Sequence, residues 1–157
     1  MSKKIFLVMC AFLLVLSTFG CDKKGNENIE GELPDLMSKI DSELDEEWSS
    51  RLITIELDEE NVANYLGTDD IKFKSAIAEE HMTGSVAYSV ILIRAEENAD
   101  IEAMKTTIKE NINPRKWICV GVEDDDVIIK NKGDLIIVIV IEDEENRNII
   151  EKGFDNL

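Results

Sequence analysis

Histidine is almost missing from this chain; His81 is the only one. A Ser-His-Asp set therefore has one candidate base, and no Cys/His spacing suits a zinc site. No glycine-rich loop of the phosphate-binding kind is present. Basic residues are also scarce, 17 against 34 acidic, for a net charge of −17. That balance excludes a nucleic-acid surface, which needs a basic face, and disfavours lying flat on anionic lipid. Long apolar runs are missing too, with one exception at the N-terminus.

The exception is Ile5 to Leu16, preceded by Lys3 and Lys4 and followed by Ser17-Thr18-Phe19-Gly20-Cys21. A basic start, an apolar centre and a small residue before a cut site make a secretory signal, too short for a comfortable membrane span. The stretch resembles the signal of bacterial lipoproteins, whose lipobox ends in a small residue and the cysteine that is acylated. Gly20-Cys21 matches those two positions, and Thr18 and Phe19 replace the Leu and the Ala or Ser usual before them. The resemblance implies cleavage between Gly20 and Cys21, lipidation of Cys21, and a protein held by lipid on the extracytoplasmic face of the cell membrane. One acyl chain anchors only marginally; the diacylglycerol of a lipoprotein cysteine meets the two-chain requirement.

Residues 1–20 are then a signal peptide, and 21–32 the lipidated cysteine with a flexible tether of Lys, Gly, Asn and Glu. Residues 33–157 form a single domain. Without Lys3 and Lys4 the mature chain has 15 basic and 34 acidic side chains, a net of −19. Cys10 lies in the signal and Cys21 carries lipid, so Cys119 is left without a disulfide partner. Cys119 lies in the apolar run Trp117 to Val122 and reads as a buried small hydrophobe, with no base assigned to it.

Periodicity sets out the elements. Leu33, Leu36, Met37, Ile40 and Leu44 recur at helical spacing after Pro34, predicting a helix to Glu46 or Trp48, with Trp48 in core or rim. Leu52 to Leu57 reads as a short strand or an extended connector. Asp58 caps a short helix that Gly67 ends, with Leu57 and Val62 as a hydrophobic staple. Ile71 to Ala78 and Ser85 to Arg94 read as strands, joined by a turn that contains His81. Asn98 caps a helix through Ile101, Met104, Ile108 and Ile112, which Asn113-Pro114 closes. Trp117 to Val122 and Val127 to Lys130 read as strands, followed by the turn Asn131 to Asp134. Leu135 to Ile141 is an unbroken apolar strand, central and buried on both faces or nearly so. A last helix starts near Asp143.

Val90 to Asn98 aligns with Val138 to Asn146 at a spacing of 48 residues, which suggests two strand–strand–helix repeats; any buried strand leading into a capped helix gives similar letters. The expected architecture is α+β: a two-layer fold, an antiparallel sheet with helices packed on one face.

Acidic clusters are the remaining candidates for chemistry. Asp124, Asp125 and Asp126 are the better metal candidates, though they lack the spacing and glycine of a calcium loop. Glu142 to Glu145 reads as favourable charge at a helix N-terminus. No catalytic residue is assigned and no cofactor is expected.

Taken together, the lipobox, the tether, the helix after Leu33-Pro34, the capped helix ending Leu66-Gly67 and the Lys132-Gly133 turn are similar to a family of small Gram-positive bacterial lipoproteins catalogued as a domain of unknown function. This resemblance covers most of residues 33–157 and supplies no activity or binding residues. The function expected is a non-catalytic binding or interaction module, acting on an extracytoplasmic protein or small ligand. The alternatives are a carboxylate-based or calcium-dependent enzyme or sensor, and an accessory subunit of an envelope or transporter complex.

Overall fold

The computed structural model describes residues 28–157. The expected signal peptide, Gly20, Cys21 and the first part of the expected tether lie outside the described residues. Five strands form one antiparallel sheet: β1 (Leu52–Leu57), β2 (Phe73–His81), β3 (Tyr88–Ala95), β4 (Ile128–Lys132) and β5 (Leu135–Ile141). Their spatial order is β1-β2-β3-β5-β4, so β3 and β5 are central. The helices are α1 (Leu33–Ile40), α2 (Glu46–Ser49), α3 (Val62–Leu66), α4 (Ile101–Asn111) and α5 (Glu144–Asp155). The fold is α+β. Among the described residues, no helix is long and apolar enough to cross a membrane.

Every residue of β3 and of β5 is buried. Successive side chains on a strand point to opposite faces, so burial along a whole strand requires a cover on each face. The helices provide both covers, rather than packing on one face as the sequence suggested. Leu36, Met37 and Ile40 of α1 and Ile150 and Phe154 of α5 pack on Val90, Leu92, Ile137 and Ile139. Val62 and Leu66 of α3 and Met104 and Ile108 of α4 pack on Ile91, Ile93, Ile136 and Val138 on the other side. The three-layer arrangement also leaves the proposed repeat unconfirmed. Val90 faces one cover and its aligned residue Val138 the other, and α4 and α5 lie on opposite faces.

Local chemistry explains most element ends. The expected first helix is divided in two. The N–H of Asp41 bonds back to Met37, the Ser42 hydroxyl donates to the Lys39 carbonyl, and Asp45 starts α2 by accepting from the Glu47 N–H. Asp and Ser side chains compete for backbone bonds in this way, and they stop the helix although the apolar stripe runs on to Leu44. Asp100, not Asn98, caps α4, accepting from the Ala103 N–H, while Asn98 adopts φ 68° just before it. Asp143 caps α5 as expected, accepting from Asn146. Asp58 accepts from the N–H groups of Glu60 and Asn61, and Gly67 closes α3 at φ 74°.

Trp117 to Val122 is not a strand. Both sheet edges lie elsewhere, so this segment finds no ladder and runs irregularly, with Cys119 at φ 64°. The later part of the expected tether is also bound. Asn28 Oδ1 accepts from the Asp134 N–H, and the Gly31 carbonyl accepts from Arg94, which is paired with Asp134 at 2.9 Å. The chain thus enters at the end of the sheet where β3 finishes and β5 begins.

Candidate functional site

Polar side chains concentrate at the opposite end of the sheet, around adjacent residues of β2. Glu79 points to the α1/α5 face and Glu80 to the α3/α4 face, as alternation along a strand requires. Glu79 is 5% exposed. The Tyr88 hydroxyl donates to it at 3.0 Å. The carboxyl of Asp41, the half-buried residue that ends α1, is its neighbour on this face. Burial, reinforced by the Asp41 charge, pushes the Glu79 carboxyl up to about 7. Burial raises Asp41 as well, and Tyr88 is held far above an ordinary phenol, first by burial and then by Glu79. Two neighbouring carboxyls cannot both ionise without cost, so Glu79 keeps its proton to a higher pH than an ordinary glutamate.

Aromatic rings close this end. Trp48 lies 5.2 Å from the ring of His81 and 6.1 Å from that of Tyr88, centroid to centroid. The indole N–H of Trp48 is buried and has no hydrogen-bond partner among the described residues. His81, placed by the sequence in a turn, is the last residue of β2 and is buried; its Nδ1 accepts from the Thr83 N–H.

On the other face, Lys116 donates to Glu80 at 2.6 Å and to Ser89 Oγ at 3.3 Å. Its ammonium sits 5.0 Å from the Tyr65 ring and 5.1 Å from the Trp117 ring. The Tyr65 hydroxyl is raised by burial and by the Glu80 charge. The ion pair is mostly enclosed, with 20% and 13% of the two side chains exposed. Removing one partner of such a pair leaves the other charge desolvated. Lys116→Met is expected to cost about 1–2 kcal/mol in chemical denaturation, and adding Glu80→Gln should recover most of it.

This arrangement joins a carboxyl of raised pKa on one face to a pinned irregular segment on the other. Ser89 is fully buried and bonded to Glu80. Cys119, expected inside, is exposed instead. Its positive φ turns the segment outward, and Trp117, Val120 and Val122 take the core positions. Asp124, Asp125 and Asp126 form a short exposed 3-10 turn, where Asp126 approaches Arg147 at 3.4 Å. Among the described residues, no cluster of His, Cys, Asp and Glu is gathered to hold a metal ion. A cleft of ≈ 550 Å³ lies between Trp48, Arg51 and the start of α5, lined mainly by acids such as Glu43, Asp45 and Asp143.

β1 runs beside both clusters, with Thr54 opposite Glu79 and Ile53 opposite Glu80. It is an edge strand. The Met82 N–H donates to the Arg51 carbonyl, so Arg51, Ile53 and Ile55 direct their backbone groups at β2. Alternation then directs the groups of Leu52, Thr54 and Glu56 outward. Asn61 covers the last of these, donating to the Glu56 carbonyl. The N–H and C=O of Leu52 and of Thr54 have no partner among the described residues.

Comparison with protein-family models, curated proteins and solved structures finds no match. The site is therefore read from its own geometry. Sequence reasoning missed Glu79, Asp41 and Tyr88, and also Glu80 with Lys116. The one signal was a pair of acids, Glu79-Glu80, directly continuing an apolar alternating run; placing a turn there concealed them.

Proposed function

We propose that this chain is a lipid-anchored extracytoplasmic protein, similar to the small Gram-positive bacterial lipoproteins, and that its domain is a non-catalytic binding module. The observation that carries the reading is the order Lys3-Lys4, apolar Ile5 to Leu16, then Gly20-Cys21. The domain supports it in two ways. Its buried Glu79 carboxyl is held by the Tyr88 hydroxyl, with Trp48 beside Tyr88, as in a structural site. Its chain entry, at Asn28 and Gly31 against Asp134 and Arg94, lies at one end of the sheet. The exposed Ile53, Met82 and Ile118 stand at the other end. A bilayer anchored at Cys21 then adjoins the first end, and the apolar rim faces away from it.

With both sheet faces covered, the binding element in this reading is the β1 edge. The anchor is tested by Cys21→Ala with fractionation of cells. The wild-type protein is expected in the membrane fraction, and the variant in soluble or unprocessed form. Wild-type protein found free in the medium would overturn the anchor.

A further inference from the structure

The two edges of the sheet are treated differently. β4 carries Lys130 and Lys132, held by Glu151 and Asp155, and lysines on an edge prevent strand addition. Lys109 of α4 also reaches over this side to the Val127 carbonyl. β1 has no lysine, no proline and no bulge, and its pairing with β2 is regular throughout. Four outward backbone groups, on Leu52 and Thr54, have no partner among the described residues and lie between Arg51 at one end and Asn61 at the other.

We propose that β1 receives an extended, cationic segment of a partner protein as a sixth strand, in which basic and apolar residues alternate. Backbone bonds to Leu52 and Thr54 would supply the affinity, and side chains on alternate positions the selectivity. On the α3/α4 face the added strand lies beside Ile53, 43% exposed, and Ile55, which favour apolar residues. On the opposite face it lies beside Thr54 and Glu56. Asp58, Glu59 and Glu60 continue from the strand end; with Glu56 they are exposed and make no ion pair among the described residues. Lys72 and Lys74, at the start of β2, offset only part of this charge.

A second copy of the chain fits less well. Each copy carries −17, so pairing two β1 edges sets two strongly acidic chains against each other.

This proposal rests on the binding-module reading, but its test needs no membrane anchor and is independent of the Cys21 result. The probe is a ten-residue peptide of alternating lysine and valine, titrated into the full chain in detergent micelles. Amide hydrogen exchange at Leu52 and Thr54 is expected to slow at least tenfold, with little change at Ile53 and Ile55, which are already bonded. The same peptide with glutamate for lysine is expected to bind at least tenfold more weakly. Thr54→Pro removes an outward N–H and no ladder bond, so the fold is kept while peptide protection is lost. A second variant, Ile53→Lys, leaves the backbone free and should weaken binding by charge.

Equal binding by the glutamate peptide would overturn the charge class. Binding unchanged in Thr54→Pro, or protection located elsewhere, would overturn the edge as the site. A concentration-dependent dimer that Thr54→Pro abolishes would show a second copy as the occupant and overturn the proposal.

Discussion

Gly153→Ala is expected to destabilise the domain by about 2–3 kcal/mol, although alanine is the better helix former. In an exposed helix interior the change would stabilise by about 1 kcal/mol. Here the sign reverses because α5 crosses the end of α1 at this residue. A Cβ on Gly153 would lie 2.1 Å from the Ile40 carbonyl oxygen and 2.8 Å from its carbon. These are backbone atoms at the point where α1 turns into the Asp41 cap, so they cannot swing aside as a side chain would. Separating the helices would disturb Phe154, which is 1% exposed, together with Met37 and Ile40. A fall in Tm of about 10 °C is the expected readout. Asn148→Ala, on the exposed face of the same helix, should instead raise stability by a few tenths of a kcal/mol. If Gly153→Ala behaved like Asn148→Ala, the close helix crossing would be wrong.

Glu79→Gln is expected to remove most of a pH dependence that the wild-type protein shows below neutrality. The folded carboxyl titrates near 7, against 4.5 for an ordinary glutamate. Between these values the folded chain keeps a proton that the unfolded chain has released. Stability therefore falls as pH rises from about 4.5 to about 7, and this contribution is constant outside that window. A shift of one unit corresponds to about 1.4 kcal/mol, so the loss is on the order of 3 kcal/mol, with Asp41 acting in the same direction. Glutamine cannot ionise. Its carbonyl can accept from Tyr88 and its amide can donate to Asp41, reproducing the protonated state. The variant should match the wild type near pH 5 and exceed it by about 2–3 kcal/mol at pH 8. Denaturant titrations at a series of pH values measure this, and parallel curves for the two proteins would remove the shared proton. Glu80→Gln is the contrast. Its neighbour in sequence faces the other side, where Glu80 is paired with Lys116, so neutralising it should lower stability at pH 7.

These two residues also show how far the sequence could be read. The apolar run Leu135 to Ile141 identified a central strand without help, because seven consecutive buried side chains fit only a strand covered on both faces. The same reasoning, applied to Ser85 to Arg94 with apolar residues on both sides, already contradicted a two-layer fold with one bare face. Capping was legible where side chain and backbone are close neighbours, as with Asp143 and Gly67. It failed at Asn98 and Asp100, two adequate caps separated by one residue, where only the approach of the helix to the sheet selects between them. It failed again at Leu44, where the apolar period continued through a break made by Asp41, Ser42 and Asp45.

The sequence alone determined the charge, the scarcity of catalytic residue types and the position of most strands and helices. Each follows from composition or from spacing within one turn or one strand. The tertiary structure decided which face each helix covers, which sheet edge stays open, and that Glu79 meets Asp41 while Glu80 meets Lys116. Those partners are 38 and 36 residues apart in the chain. Local periodicity reports which side of a strand is buried, but it contains nothing about what is packed against that side. Only the folded chain sets the buried Glu79 carboxyl beside Asp41, and only there is its pKa raised.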